Sequence, residues 1–272
     1  MAITAAQVNE LRKRTGLGMM ECKKALQDVD GDVEKAIDEL RKKGVKAKVA
    51  EREAGEGRVA SFVNEGRNVA VAIEIKCNTD FTAKSDEVGD TLELAGQKLL
   101  ADPTANLTED PAIKDKLVAT SQRTGENVQL GRVMVLSAPA GGKVGAFQYT
   151  VTNKIAALVS LKGEAGDELL RDVGLHLVAF QPTALAATKE GLPQDLVAKE
   201  RQIAVEQATA TGKPQEIAEK IAEGKLNSFY KERVLPMQEF INPEKFKGSV
   251  GEMLQKHGTE LVDFKRLEVG VE

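Results

Sequence analysis

Two histidines and two cysteines are the side chains in this sequence best suited to act as bases, nucleophiles or metal ligands. Cys22 and Cys77 lie far apart, with neither the spacing of a redox pair nor that of a zinc site, so each is interpreted as an idle thiol. His176 stands in the apolar run 175–178, which favours a hydrogen-bonded histidine within a helix over a catalytic base.

The sequence also lacks the short patterns that accompany phosphate, zinc and acyl chemistry. It contains no Gly-x-x-x-x-Gly-Lys-Ser/Thr loop, no His-Glu-x-x-His and no Gly-x-Ser-x-Gly. The glycine-rich residues 141–145 are interpreted as a turn. Asp86 and Glu87 are adjacent acids at a predicted helix start, where they favour the helix dipole. We therefore expect a binding protein that is not an enzyme, with no catalytic residue, cofactor or metal site.

One predicted strand-to-helix break places an acid beside an aromatic ring, in the order Thr79, Asp80, Phe81 and Thr82. Two interpretations remain open from these residues alone. In the first, Asp80 caps the helix and Phe81 belongs to the core. In the second, Phe81 is an apolar wedge that buries about 150–250 Å² in a groove of a partner, and Asp80 carries negative charge to the same place.

The composition favours a soluble globular protein without nucleic acid or membrane as a partner. The 272 residues are 42% hydrophobic and 29% charged, enough for one large domain or a few small ones. No apolar run approaches the roughly 20 residues of a membrane span, and no signal peptide is recognised, so we expect a cytoplasmic protein. The net charge of −4 and the absence of tryptophan argue against phosphate-backbone binding and base stacking.

The first 44 residues predict three helices. Thr4 and Gln7 form a capping-box pattern, and Ile3 can pack on Val8. Apolar residues recur at helical spacing at Val8, Leu11, Met19, Cys22, Ala25, Leu26, Val29, Val33, Ala36, Ile37 and Leu40. Because Met19 and Met20 are adjacent, they cannot share one helical face, so we expect one in the core and the other free for a partner.

The rest of the chain mixes strands and helices without a strict βαβ rhythm, which predicts an α+β fold with mainly antiparallel sheets. We expect a β-hairpin at 58–76, helices at 88–99 and 169–178, and strands at 128–136, 144–161 and 261–269. Residues 194–233 predict a protruding helical hairpin of coiled-coil type. Its thin apolar stripe comprises Leu196, Ile203, Ala210, Ile217 and Ile221.

These elements suggest five segments. They are a three-helix domain at 1–45, a linker at 46–57, a first core part at 58–140, a second core part at 141–242 that carries the helical hairpin, and a C-terminal module at 243–272.

Five stretches, in order along nearly the whole chain, resemble the elongation factor Ts family. Residues 1–44, with the stretch 14–26 within them, look like its ubiquitin-associated-type three-helix opening domain, and Cys-Asn-Thr-Asp-Phe at 77–81 resembles its Thr-Asp-Phe-Val loop. Gly-Glu-Asn at 125–127, the hairpin tip and return at 211–226, and the C-terminal stretch 264–270 are similar to their family counterparts.

The resemblance implies a guanine-nucleotide exchange factor that binds elongation factor Tu and releases its GDP. By that resemblance Asp80 and Phe81, with Thr79 and Thr82 beside them, disturb the partner's magnesium site. The opening domain grips a helix of the same partner domain, Gly125 and Ile241 add contacts, and the C-terminal module holds the partner's distal β-domain. The implied contacts of the opening domain are Leu11, Met19, Met20 and Lys23.

This chain departs from the family pattern at three places. Thr82 replaces the usual apolar residue and makes the loop more polar, Gly131 stands where an arginine is common, and 147–153 replaces a Tyr-x-His-Gly-Gly stretch.

Three other functions remain open from the residues. The opening domain alone suggests a ubiquitin-like or nascent-chain binding protein. The basic residues at 41–52, together with the paired sheets, suggest an RNA-binding accessory protein, although the favoured interpretation of these residues is a solvated helix end whose cations oppose the negative end of the helix dipole. An enzyme with a dispersed active site is the third.

Overall fold

The computed structural model describes residues 3–15, 19–42, 54–210 and 215–271, and over these ranges it confirms the α+β class. The helices are α1 Ala5–Thr15, α2 Met19–Asp28, α3 Val33–Lys42, α4 Asp80–Ala83, α5 Asp86–Ala101, α6 Pro111–Thr124, α7 Asp167–Ala179, α8 Gln194–Ala210, α9 Gln215–Arg233 and α10 Val250–Lys256. The strands are β1 Glu56–Val63, β2 Val69–Cys77, β3 Gln129–Ser137, β4 Gly142–Gln148, β5 Ile155–Gly163 and β6 Thr259–Glu268. None of the helices in these ranges has the length and apolar character that crossing a membrane requires.

The first three helices share a small apolar core, as their periodicity predicts. The capping box at the start of α1 is present, with the Thr4 N–H donating to Gln7 Oε1 at 2.9 Å and the Gln7 N–H donating to Thr4 Oγ1 at 3.3 Å. The buried residues of this core are Val8, Leu11, Cys22, Ala25, Leu26, Ala36 and Ile37.

The expectation that one of the two adjacent methionines is buried is wrong, because Met19 and Met20 are 55% and 75% exposed. Both stand in the first turn of α2, ahead of Cys22, where the buried face of that helix begins.

Two three-stranded sheets follow, with strand orders β1-β2-β3 and β4-β5-β6. The predicted hairpin is formed by β1 and β2, and β4 pairs with β5 antiparallel from Gly142 opposite Lys162 to Gln148 opposite Ala156. Helix α6 was not anticipated, although the sequence carries its signals. The Asp110 carboxylate caps it by accepting from the Ile113 N–H at 3.1 Å, Pro111 opens it, and Gly125 ends it with a φ of 69°.

The described residues form two compact units. The first lies within 1–60, 73–133 and 267–272, and the second within 61–72 and 134–266. These bounds differ from the five segments expected from the sequence. Residues 46–53 of the expected linker lie outside the described residues, and its last residues already belong to β1. Helix α10 buries Val250, Met253 and Leu254 in one core with β5 and α7, so the expected C-terminal segment belongs to the second unit up to residue 266.

Helices α8 and α9 pack against each other as the predicted helical hairpin, but the residues in their seam differ from the prediction. Ala204, Ala208 and Ala222 are buried, whereas Ile203 and Ile217 are 36% and 47% exposed. Alanine permits a close approach of two helix axes, which leaves the larger isoleucines beside the seam. The expected tip, residues 211–214, and the side chain of residue 210 lie outside the described residues.

Candidate partner-binding site

The acid-aromatic break forms a short turn between β2 and α5, here called the 78–82 turn. Thr79 precedes the single-turn helix α4 in an extended conformation, and its Oγ1 accepts a hydrogen bond from the Thr82 N–H at 3.3 Å. Thr79 is therefore the residue that caps this helix. The interpretation that Asp80 is the cap is wrong, because Asp80 is already the first residue inside the helix.

Phe81 is 82% exposed, so the interpretation that places its ring in the core is also wrong. Helix α4 instead buries Thr82 and Ala83, which are 5% and 4% exposed. A helix of one turn has room for only one buried side, and Phe81 lies on the other. Thr82, expected to make the turn more polar, is withdrawn from the surface.

Asp80 immediately precedes Phe81 in the chain and remains accessible. Its Oδ2 accepts a hydrogen bond from Lys84 Nζ at 2.7 Å, in an ion pair whose side chains are 47% and 70% exposed. The hydrogen bond from Lys84 holds the pKa of the Asp80 carboxyl below its ordinary value. The turn thus presents an ionised carboxylate and an exposed aromatic ring on two consecutive residues.

The 78–82 turn is anchored by Glu126, which follows the left-handed Gly125 at the end of α6. Glu126 Oε2 accepts hydrogen bonds from the N–H groups of Asn78 at 3.1 Å and Thr79 at 3.0 Å. Glu126 Oε1 accepts from the Thr79 hydroxyl at 2.6 Å. A further bond runs from the Asn127 N–H to Asn78 Oδ1 at 2.7 Å. Two segments distant in sequence are therefore joined by four hydrogen bonds, three of which end on one carboxylate.

Two opposing effects act on the pKa of Glu126. Its partial burial raises the pKa, but hydrogen bonds from the side chains of Thr79 and Thr82 and from the N–H groups of Thr79 and Asn78 outweigh burial. The pKa of Glu126 consequently lies below the ordinary value of a glutamate. A carboxylate that is ionised at neutral pH makes the stronger, charge-assisted type of hydrogen bond.

The other residues implied by the resemblance lie in different surroundings. Met19, Met20 and Lys23 are exposed on α2, whereas Leu11 is fully buried in the three-helix core. Ile241 is partly buried in the second unit, against the core that contains β5, α7 and α10. The described structure therefore brings Thr79, Asp80, Phe81 and Thr82 together with the 125–127 segment, and it keeps Ile241 in another unit.

His176 is buried in α7 and hydrogen-bonded, as its apolar neighbours predict. Its Nδ1 accepts from the Ile241 N–H at 3.2 Å, which assigns the ring proton to Nε2, and Nε2 then donates to Gln238 Oε1 at 2.9 Å. Burial lowers the pKa of His176. Both ring nitrogens are thus engaged in holding the fold.

The thiol nearest the site is also inert. Cys77 donates from Sγ to the Thr79 carbonyl at 3.2 Å, and burial raises its pKa to about 11, with a further contribution from the negative charge of Glu126. Among the residues in the four described ranges, no group of three or more His, Cys, Asp and Glu side chains is arranged to hold a metal ion.

The 125–127 stretch is one of the five that carry the family resemblance, and the resemblance implies a role only for Gly125. The anchoring role of Glu126 had no local signal, because its hydrogen-bond partner Thr79 lies 47 residues away.

Comparison with known proteins gives consistent matches along the chain. A family model described as "Elongation factor TS" matches residues 78–271. A protein of Teredinibacter turnerae named elongation factor Ts is 40% identical over 276 residues, which cover 99% of this chain and 92% of the relative. One of Vibrio vulnificus with the same name is 41% identical over 277 residues, with the same coverage of both proteins.

Proposed function

Since this chain belongs to the elongation factor Ts family of translation elongation factors, we propose that it is a guanine-nucleotide exchange factor for elongation factor Tu. It binds the GDP-bound form of that GTPase, distorts the site that holds magnesium and phosphate, and promotes GDP release during elongation in the cytoplasm. The protein is not an enzyme in this proposal. It forms and breaks no covalent bond and supplies only binding free energy.

The observation that carries the proposal is the 82% exposure of Phe81 on a turn anchored by hydrogen bonds. Leaving a phenylalanine ring in water forgoes about 1.5–3 kcal/mol of burial free energy, which becomes available when a partner covers the ring. If the groove for the ring opens only when the nucleotide site is distorted, this free energy favours the distorted, nucleotide-free state.

Asp80 adds an electrostatic component to the same event. Its carboxylate belongs to the residue before Phe81 and is ionised near neutral pH, as its lowered pKa requires. Inserted near a bound diphosphate, it repels the phosphate oxygens and competes for the groups that organise the magnesium ion. Both effects weaken nucleotide binding, and neither requires chemistry from the exchange factor.

The remaining contacts supply affinity. The exposed side chains of Met19, Met20 and Lys23 grip a helix of the partner's GTPase domain, and methionine suits such an adaptable surface. Leu11 is fully buried and acts by fixing the three helices. Gly125 and the region of Ile241 add contacts, and the C-terminal segment holds the distal β-domain of the partner.

The decisive experiment is release of labelled GDP from elongation factor Tu, chased with excess unlabelled GDP, in the presence and absence of this protein. We expect release to accelerate in proportion to the protein added until the complex saturates. A rate that stays at the spontaneous value at every concentration would remove the exchange function.

A further inference from the structure

We propose that Glu126 is a positioning residue for nucleotide exchange, whose carboxylate holds the 78–82 turn in the one conformation that presents Phe81 to the partner. The inference rests on the proposed exchange function. It assigns Glu126 no contact with the partner, so its effect on exchange is transmitted through the side chains that the turn presents, Phe81 and Asp80.

The geometry supports this assignment because one carboxylate serves three donors at the start of the turn. Its two oxygens accept from two consecutive backbone N–H groups and from the Thr79 hydroxyl, at 3.1, 3.0 and 2.6 Å. The same hydroxyl oxygen accepts from the Thr82 N–H at 3.3 Å and caps α4. Glu126 therefore fixes both the backbone before the helix and the residue that starts it.

The position of Phe81 depends on these bonds, because its own side chain has little to hold it in place. With 82% of its surface exposed, the ring contributes few packing contacts that could define the backbone beneath it. Helix α4 has only four residues, which is too short to be stable through its own hydrogen bonds. The conformation of the turn must be imposed from outside, and Glu126, which follows α6, accepts three of the hydrogen bonds that do so.

A turn held in advance lowers the cost of binding. If the turn samples other conformations, only the fraction with Phe81 correctly presented can bind productively, and the observed affinity falls by that fraction. Removing the Glu126 carboxylate therefore lowers exchange without removing any group that touches the partner. Glutamine is the conservative replacement, because its carbonyl oxygen can accept from both N–H groups while its NH₂ group donates to the Thr79 hydroxyl oxygen.

The test compares Glu126→Ala and Glu126→Gln, alone and combined with Phe81→Ala, in the GDP-release assay. We expect Glu126→Ala to slow release about tenfold at subsaturating protein, and Glu126→Gln to restore most of the rate. In the Phe81→Ala background, Glu126→Ala should have a smaller effect than it has alone, because residues that act through one another are not additive. Glu93→Ala, which removes an exposed carboxylate from α5, serves as the matched control and should exchange at the wild-type rate.

Hydrogen exchange of the Asn78 and Thr79 amides provides a readout that is independent of elongation factor Tu. These two amides should lose protection in Glu126→Ala while the amides of β5 keep theirs. Should Glu126→Ala fail to fold, Glu126→Asp serves as the second variant. It keeps the carboxylate but shortens the side chain by one methylene, and it must also slow GDP release.

The outcomes separate this inference from the function beneath it. If the wild-type protein accelerates release and Glu126→Ala does so equally, the positioning role is wrong and the exchange function stands. If the effects of Glu126→Ala and Phe81→Ala multiply, Glu126 acts by another route and the inference is overturned. If the wild-type protein does not accelerate release, the exchange function is wrong, whatever the amide protection shows.

Discussion

The carboxylate of Glu74 is fully buried in β2 and faces the guanidinium of Arg132 on β3. Arg132 Nε donates to Glu74 Oε2 and Arg132 Nη2 donates to Glu74 Oε1, each at 3.0 Å, in a two-pronged ion pair. The same guanidinium reaches the carbonyl oxygens of Glu268, at 2.5 Å, and of Val271. The pair therefore ties the end of the chain to the first sheet.

This pair also explains why Gly131 departs from the family pattern. A Cβ atom at Gly131 would stand 2.6 Å from Glu74 Oε2, which is closer than non-bonded atoms approach. The buried carboxylate therefore occupies the space that an arginine side chain at this position requires.

We expect Arg132→Met to destabilise the protein by about 3–5 kcal/mol, because the buried Glu74 carboxylate loses its charged partner and keeps only the hydrogen bond from the backbone N–H of residue 132, at 3.1 Å. The double variant Glu74→Met/Arg132→Met should recover most of that loss, since the unpaired charge is then gone as well. Urea unfolding of the two variants and the wild type measures both effects. If the single and double variants were equally stable, the loss in Arg132→Met would not come from the charge of Glu74.

Phe81→Ala should slow GDP release by about 10- to 50-fold, which corresponds to roughly 2 kcal/mol of lost burial in the partner. The melting temperature should stay close to the wild-type value, because the ring is 82% exposed in the free protein. Val151→Ala, which truncates a 78% exposed residue in the turn between β4 and β5, is the matched control for removing exposed apolar surface. An equal loss of exchange in both variants would argue against a specific wedge.

The double variant Met19→Ala/Met20→Ala should weaken binding to elongation factor Tu and leave the melting temperature nearly unchanged, since both side chains are exposed. Its exchange rate at saturating protein should remain near the wild-type value, because the 78–82 turn is intact. Val118→Ala on α6, which is 41% exposed, is the control. If the opening helices served only a nascent chain, the double variant would bind elongation factor Tu as tightly as the wild type.

Stability should fall as the pH drops below about 6.5, the ordinary pKa of histidine. Burial depresses the pKa of His176 in the folded protein, so between the two pKa values the unfolded chain binds a proton that the native state does not. The loss of stability ends once the pH falls below the pKa of His176 in the folded protein. Above about pH 7, His176 does not make the free energy of unfolding depend on pH. Urea unfolding at pH 8 and pH 5.5 should show a smaller pH dependence for His176→Gln than for the wild type. The control Val118→Ala, which truncates an exposed apolar side chain and leaves His176 in place, should keep the wild-type pH dependence.

Linkage gives the last prediction. If the protein stabilises nucleotide-free elongation factor Tu, it lowers the affinity of that GTPase for GDP. GDP must then lower the affinity of the GTPase for this protein by the same factor. The affinity for elongation factor Tu should therefore fall across a GDP titration, and fall further with magnesium present. Asp80→Ala should reduce this antagonism and retain much of the contact through Met20. An affinity that stays constant across the titration would show binding without coupling.

Much of the fold was determined by local sequence patterns. Helical spacing and the Thr4–Gln7 box predicted α1 to α3, and strict alternation predicted the β1–β2 hairpin, because these signals act between residues close in the chain. The family resemblance likewise rested on contiguous stretches, and the comparisons confirm it.

The direction in which individual side chains point was decided by tertiary structure. Whether Phe81 is buried or exposed depends on which side of a one-turn helix is covered. The start of that helix is held by hydrogen bonds from Thr79 to Glu126, which lies in a distant segment of the chain. The alanine seam of α8 and α9 likewise follows from how closely two helices approach. Local periodicity specifies backbone conformation, whereas long-range packing and hydrogen bonds choose which side chains remain available to a partner.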